Sequence, residues 1–316
     1  MPTPSNLEIF YGYVRAFELA YLTDDWSLLE PHFTDTAWHR VEGGGPFGDG
    51  GTPGRDGAIA GLRTSVHGVD RRFDVRIPQI LAGPTTRPDG VFMRFGVTLR
   101  RAGLPDLSVE GEHLVRCTGG RIESIVERMA PDVAGRVADY LSKHGAMLRP
   151  EGSPANLEPA PADRRDLEAE TMKALVRCYG AAKSEADIGA ALAVCSEDFS
   201  IETVSFGIAS KDRKETELQL AVFFRAFPDY HVKLDGFATA EGVATCWGSA
   251  RMSFRGELLG CAPTGLTAEL PIFCHFEVAP AGLRRERFFF DAATLCEQIQ
   301  LPIDQLKAAL RPLRNS

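Results

Sequence analysis

The chain has 316 residues, of which 44% are apolar, so it has the length of about two domains and enough apolar material for two hydrophobic cores. Its 43 acidic and 35 basic residues give a formal net charge of -8, which disfavours nucleic acid or an anionic membrane as the partner. No apolar run approaches the ~20 residues of a membrane-spanning helix, and the N-terminus lacks the pattern of a secretory signal. We therefore expect a cytoplasmic protein.

Helices come first in the N-terminal half. Apolar periodicity predicts an amphipathic helix over 6–21, and acidic capping residues precede a short second helix over 24–29. A further helix over 56–65 follows the first of five segments with the period-two alternation of strands. The strands are predicted at 36–41, 73–80, 91–100, 107–117 and 122–128.

A proline-rich segment separates the two halves. Pro150, Pro154, Pro159 and Pro161 favour extended backbone, so we predict a domain over 1–148, a linker over 149–165 and a second domain over 166–316. The element order then recurs at an offset of about 160 residues. Helices are predicted at 166–182, 187–194 and 214–227, and strands begin near Phe199, Tyr230, Val243, Ala268 and Arg284. Helices followed by an antiparallel meander indicate the α+β class for both halves.

Motifs in the second half resemble the SnoaL-like polyketide cyclases of the nuclear transport factor 2-like superfamily. The resemblance spans 166–302 and is carried by residues 226–230 (AFPDY), the run 256–265 (GELLGCAPTG), Phe290-Asp291 and residues 297–299 (EQI). The first half resembles the wider superfamily through Trp26 and Leu29, residues 33–38 (FTDTAW) and the helix entry at 54–56 (GRD).

The resemblance implies two tandem cone-shaped domains, each a bent antiparallel sheet wrapped around helices. Such a cone would hold a small apolar or polyketide-like molecule at its mouth. Because superfamily members pair sheet to sheet, it also implies an internal pseudo-dimer within one monomeric chain.

The strongest candidate for catalysis is the pair His113 and Glu127. An odd loop centred on Gly120 places them directly across an antiparallel pair, with Cβ atoms about 4.5–5.5 Å apart. The resemblance implies that the acid is the general acid/base of an aldol closure, with Glu here in place of Asp. We expect the apolar cone to raise the pKa of Glu127 towards neutrality and His113 to act as donor. The alternative is a structural ion pair.

The second half lacks this pair. If the hairpin loop of the second half is centred on Gly282, His275 lies opposite Phe289. A one-residue gap near Leu283 would place it opposite Phe288 instead, so in either case no acid faces it. Phe254 replaces a histidine that the resemblance implies before the glycine-rich run. Asp291 is expected to cap the last helix. His275, Phe254, Phe288 and Phe289, with Phe273, are candidates for contact with an apolar ligand.

Trp38, His39 and Glu42 lie on a strand that the resemblance implies is a pocket wall, so they are further candidates for substrate contact. The glycine-rich segment 43–51 lacks the Gly-Lys-Ser/Thr end of a phosphate loop. The histidines and the seven cysteines show no zinc-binding spacing, and no dinucleotide fingerprint is present. We expect no metal and no cofactor.

Three functions are compatible with these residues. The first is a cofactor-independent cyclase or isomerase that transfers a proton on a small polyketide-like or cyclic carbonyl compound, with Glu127 as base and His113 as donor. The second is an epoxide hydrolase or cyclase, which needs two converging acids from among Asp35, Glu42 and Glu127. The third is a non-catalytic ligand-binding or scaffolding protein, since this fold hosts many functions.

Overall fold

The computed structural model describes residues 3–314 and divides into two compact units, Met1–Thr171 (unit 1) and Met172–Ser316 (unit 2). Each unit has one sheet with helices packed on it, so the predicted α+β class with two tandem domains is confirmed. None of the helices in the described part of the chain is long and apolar enough to cross a membrane.

Unit 1 begins with a helix whose N-terminus is closed by a capping box between Ser5 and Glu8. Short 3-10 helices occupy Trp26–His32 and Asp70–Arg72. The regular elements are α1 (Asn6–Thr23), β1 (Phe33–Glu42), α2 (Arg55–Gly68), β2 (Val75–Arg87), β3 (Gly90–Arg100), β4 (Leu107–Thr118), β5 (Arg121–Met129) and α3 (Val133–His144).

Unit 2 repeats this order and adds two helices and one short strand. Its elements are α4 (Pro161–Ser184, which contains the division at Thr171), α5 (Ile188–Ala193), β6 (Cys195–Thr203), β7 (Ile208–Ala209), α6 (Arg213–Ala226), β8 (His231–Ala240), β9 (Val243–Ser253), β10 (Thr267–Ala279), β11 (Gly282–Phe290), α7 (Ala292–Gln298) and α8 (Ile303–Arg314). As predicted, Asp291 caps α7, because its side chain accepts a hydrogen bond from the Ala293 N–H.

The two sheets share one topology. The strand order is β1-β5-β4-β3-β2 in unit 1 and β7-β6-β11-β10-β9-β8 in unit 2. Neighbouring strands are antiparallel except that β1 runs parallel to β5, and β6 parallel to β11. In unit 1, α1 packs against β2 to β5, so one face of the sheet encloses an interior with this helix. We call this the inner face.

Some elements differ from the sequence-based expectation. The helices α3 and α8 were not predicted, although both are amphipathic. Helix α4 begins at Pro161, within the segment for which proline content predicts extended backbone. Proline is tolerated there because the N–H groups of a first turn have no partner inside the helix.

The hairpin registers decide which side chains meet. His113 on β4 pairs directly with Glu127 on β5, as predicted. The predicted three-residue loop is wrong, because Thr118 pairs with Arg121 around a two-residue turn and a bulge at Arg116/Cys117 sets the register. In unit 2, however, His275 pairs with Arg287, so the predicted partners Phe289 and Phe288 are wrong. The chain turns tightly after Ala279, which pairs with Gly282, and a bulge follows at Glu277/Val278; together they shift the register.

Candidate functional site

Three polar side chains meet on the inner face of the unit 1 sheet. His39 lies on β1 and His113 on β4, and the strand between them, β5, carries Glu127. Nε2 of His39 lies 3.2 Å from Oε1 of Glu127, and Nε2 of His113 lies 3.5 Å from the same oxygen. The structure thus brings His39 together with the predicted pair, which we call the His-Glu-His cluster.

One side chain of the cluster is fully buried and the other two are partly exposed to solvent. The side chain of His39 is only 1% exposed, whereas those of His113 and Glu127 keep 18% and 15% of their surface. A water-sized molecule therefore reaches the carboxylate and one imidazole. His39 is buried behind them, which suits it to hold Glu127 rather than to touch a ligand.

The hydrogen-bonding pattern assigns the imidazole protons. Nδ1 of His39 and Nδ1 of His113 are buried and have no hydrogen-bond partner among the described residues. An unprotonated ring nitrogen tolerates this better than an N–H, whose desolvation is not compensated. We therefore assign the proton to Nε2 in both rings, so that each N–H is directed at the Glu127 carboxylate.

The expected upward shift of the Glu127 pKa is wrong. Burial does push the pKa of this carboxyl upward, but the adjacent His113 and His39 favour the charged form and outweigh burial. The pKa of Glu127 consequently lies well below its usual range. The side chain is an ionised carboxylate throughout the physiological pH range.

Aromatic rings line the interior around the cluster. The Phe95 ring on β3 lies 4.4 Å from the His113 ring, between centroids. Gly111 pairs with Phe95 across β4 and β3, and a Cβ at Gly111 would come within 2.9 Å of that ring. The Tyr13 side chain of α1 is buried, and burial, then the charge of Glu127, raises the pKa of its hydroxyl well above the usual value. Tyr13 is therefore a neutral hydroxyl close to the carboxylate.

Trp38 and Glu42, the other two candidates on β1, are not brought to the cluster. Side chains alternate along a strand, so both lie on the face opposite to His39. Glu42 accepts a bond from Nε of Arg128 at 3.0 Å on that face. Asp35 is 84% exposed and pairs with Arg55. The epoxide-opening mechanism requires Asp35 or Glu42 to converge with Glu127, and neither does.

The aromatic candidates of unit 2 lie on different faces of its sheet. Phe254 and Phe288 are buried in the core. Phe273 is 41% exposed and packs on Phe289, with ring centroids 5.8 Å apart, while His275 shares their side of the sheet by alternation. These residues do not form one pocket.

Strand register identifies the true counterparts of the His-Glu-His cluster in unit 2. The positions equivalent to His39, His113 and Glu127 are Ile201, Cys274 and Phe288. His275 resembles His113 in the sequence but is one residue out of register, and a one-residue slip moves a side chain to the other face. Unit 2 has no His-Glu-His cluster at these positions.

A different buried polar group occupies the core of unit 2, and the sequence analysis missed it. Glu286 accepts a hydrogen bond from the Tyr179 hydroxyl at 2.7 Å and from Nζ of Lys183 at 3.0 Å. The Lys183 ammonium also lies 5.0 Å from the ring centroids of both Tyr179 and Phe288. The only sequence signal was the i,i+4 spacing of Tyr179 and Lys183 on one helix face.

Comparisons with known proteins match only the fold. No family model and no curated protein matches this sequence. A candidate SnoaL-like polyketide cyclase from Jannaschia sp. CCS1 has 18% identity and a TM-score of 0.40, over 46% of this chain and 98% of its own. A candidate polyketide cyclase from Pseudomonas putida has 20% identity and a TM-score of 0.36, over 42% and 96%.

A third solved structure, from Catenulispora acidiphila, has a ketosteroid isomerase-like fold and contains trimethylamine. Its identity is 14% and its TM-score 0.37, over 41% of this chain and 95% of its own. Each of the three thus has about the length of one unit. At these identities the function proposed below rests on the side chains of this chain alone. Among residues 3–314, no group of three or more His, Cys, Asp or Glu side chains has the geometry to hold a metal ion.

The low pKa of Glu127 makes the stability of unit 1 depend on pH. A carboxyl whose pKa is lower in the folded than in the unfolded state stabilises the fold above its unfolded pKa, and this stabilisation is lost as the pH falls through the folded pKa. Wild type should therefore lose on the order of 2 kcal/mol more than Glu127→Gln between pH 6 and pH 3.

The measurement is urea denaturation followed by tryptophan fluorescence. Both proteins carry Trp247→Phe, which leaves Trp26 and Trp38 of unit 1 as the only tryptophans. Parallel pH dependence of the two proteins would contradict the assigned role of the imidazoles.

The buried ion pair of Lys183 and Glu286 predicts that substitutions at these two positions have strongly non-additive effects on the stability of unit 2. Lys183→Met leaves the Glu286 carboxylate without its cation and should destabilise unit 2 by about 3–5 kcal/mol. Adding Glu286→Gln removes the unpaired charge while keeping an acceptor for Tyr179, so the double variant should regain most of this loss. Hydrogen exchange of β10 and β11, read by mass spectrometry, distinguishes this coupling from simple additivity.

Proposed function

We propose that unit 1 is an enzyme that moves a proton on a small carbonyl compound without a cofactor, as a cyclase or isomerase does. The observation that carries this proposal is an ionised, solvent-reachable carboxylate, Glu127, held by two imidazoles in an aromatic interior. Removing a proton next to a carbonyl needs a base and a donor to the developing enolate oxygen. Glu127 and His113 supply these two groups on adjacent strands.

The low pKa of Glu127 sets a condition on the mechanism. A carboxylate that is always ionised is always ready to accept a proton, but it is a weak base while both imidazoles donate to it. The His113 contact is the longer one, 3.5 Å against 3.2 Å, and His113 is the accessible imidazole. A ligand carbonyl that takes over the His113 N–H is polarised by it, and Glu127 gains basicity at the same moment.

The ligand itself adds to this effect. A molecule that fills the aromatic interior excludes water from Glu127, and desolvation raises the pKa of a carboxyl. His39 keeps its hydrogen bond and so keeps the carboxylate in place. Glu127 and His113 are thus the catalytic residues, and His39 is a positioning residue. The aromatic walls suit a planar, polyketide-like or cyclic carbonyl compound.

Solvent deuterium exchange tests the proposal without knowledge of the natural substrate. The full chain is mixed in D2O with cyclohexanone, 1-tetralone or acetylacetone, and exchange of the hydrogens next to the carbonyl is followed by proton NMR. Wild type should accelerate exchange for at least one probe, and Glu127→Gln should lose about 10²- to 10⁴-fold of that rate, the range of a general base.

Glu42→Gln is the matched control, because it makes the same change on the opposite face of the sheet. It should keep the wild-type rate. Equal exchange rates for wild type and folded Glu127→Gln, or no acceleration for any probe, would overturn the proposal.

The two histidines should affect the rate in different ways. His39→Leu removes one donor from Glu127 and raises its pKa, so the acid limb of the pH–rate profile should move to higher pH. His113→Leu also removes the donor to the ligand and should lower the plateau by about 10²-fold or more. Identical profiles for the two variants would contradict the separation into a positioning and a catalytic residue.

A further inference from the structure

The imidazole of His113 is attached to the protein by a single polar contact. Its Nε2 lies 3.5 Å from Oε1 of Glu127, and its Nδ1 is buried without a hydrogen-bond partner among the described residues. In protein sites an imidazole is commonly oriented by a hydrogen bond to the ring nitrogen that does not act. His113 lacks that bond, and its side chain is 18% exposed. Its orientation must therefore depend on packing.

The Phe95 side chain supplies this packing. The ring centroids of Phe95 and His113 are 4.4 Å apart, at the short limit of the range of about 4.5–7 Å for aromatic pairs, and their planes are inclined by 40°. Phe95 is itself buried. An imidazole that turns about its Cβ–Cγ bond would sweep its edges into a ring at this distance, and a close-packed interior does not provide the space. Phe95 thus restricts rotation of the His113 ring.

The contact between these two rings runs diagonally across the sheet. Phe95 on β3 pairs directly with Gly111 on β4, whereas the direct partner of His113 is Met93. Diagonal neighbours on adjacent antiparallel strands lie about 7–8 Å apart, which is within reach of an aromatic side chain. The Phe95 ring therefore passes position 111 to reach the imidazole two residues further along β4.

This diagonal contact depends on the absence of a side chain at Gly111. A Cβ there would lie 2.9 Å from Cζ and 3.0 Å from Cε1 of Phe95, which is tighter than side chains normally pack. The backbone does not require glycine, because the φ angle of Gly111 is not positive. Glycine inside a strand weakens it and often marks a place that another group approaches closely. At Gly111 the approaching group is the Phe95 ring.

We infer that Phe95 is a positioning residue, whose ring holds the His113 imidazole with its Nε2–H directed at Glu127 and at the ligand carbonyl. The inference rests on the proposed function. When the carbonyl takes over the His113 N–H, the imidazole loses its one polar contact with the described part of the chain. Its direction then depends on packing alone. Phe95 therefore matters most at the step in which the donor must stay fixed.

The first arm of the test measures the His113 ring itself and needs no activity. The full chain is made with histidine carrying carbon-13 at Cε1, and the resonances lost in His113→Leu and in His39→Leu identify the two rings. Carbon relaxation then gives the order parameter of each Cε1–H bond, which falls as the ring becomes more mobile. The order parameter of His113 should be lower in Phe95→Leu than in wild type, while that of His39 stays unchanged.

Two further variants separate this effect from a general loss of stability. Phe73→Leu is the matched control, because it makes the same change at a buried residue of unit 1 that packs on Tyr140 instead. It should keep the wild-type order parameter of His113. Phe95→Met fills the site with a flexible chain in place of a ring and should act like Phe95→Leu. A wild-type order parameter in either folded Phe95 variant would overturn the inference.

The second arm is a double-mutant cycle on the rate of deuterium exchange, with whichever of cyclohexanone, 1-tetralone and acetylacetone wild type exchanges fastest. Phe95→Leu should lower the rate at least about 10-fold when His113 is present, because a misdirected donor loses its effect. It should have no effect in the His113→Leu background. Phe73→Leu should keep the rate in both backgrounds.

The failure of the inference and the failure of the proposed function are distinguishable. Equal losses from Phe95→Leu in the two backgrounds, or a wild-type rate in that variant, would overturn the inference and leave the proposed function standing. A wild-type rate in Glu127→Gln would overturn the proposed function, and the order parameters would still decide whether Phe95 restrains His113.

Discussion

An ionised carboxylate inside an apolar sheet needs N–H groups directed at it, and this constraint governs the interior of unit 1. The cost of removing a carboxylate from water is large, so partners must be in place as the chain folds. His39 and His113 satisfy this requirement from the two strands that flank Glu127. Because all three side chains come from regular strands, the sheet itself fixes their geometry.

Unit 2 meets the same constraint in a different way. Its buried carboxylate, Glu286, lies two residues along the strand from the position equivalent to Glu127, and its partners Tyr179 and Lys183 come from a helix. The side chain of Glu286 is only 1% exposed. One topology therefore carries a partly exposed polar cluster in unit 1 and a fully buried ion pair in unit 2. The shared fold does not by itself decide function.

The sequence predicts the fold better than the site. Alternation and glycine turns are local signals, and they predict the strands. The predicted pairing of His113 with Glu127 is also found, but a two-residue turn with a bulge at Arg116/Cys117 produces it, and periodicity cannot reveal a bulge. The contact of His39 with Glu127 depends on a parallel pairing between strands about 90 residues apart, which no local pattern encodes. In unit 2 the turn between Ala279 and Gly282 is tighter than the predicted loop, so His275 pairs with Arg287 and lies one residue out of register with His113.

The missing side chain at Gly111 has a consequence for the shape of the proposed ligand. Since a methyl group there would collide with Phe95, the space is used by an aromatic ring that lies against His113. Beside His113 the wall of the interior is thus formed by the flat surfaces of the Phe95 and His113 rings rather than by branched aliphatic groups. For the carbonyl ligand proposed above, discrimination would depend on thickness: a flat conjugated molecule would keep van der Waals contact with such a wall, whereas a puckered saturated ring of equal area would not.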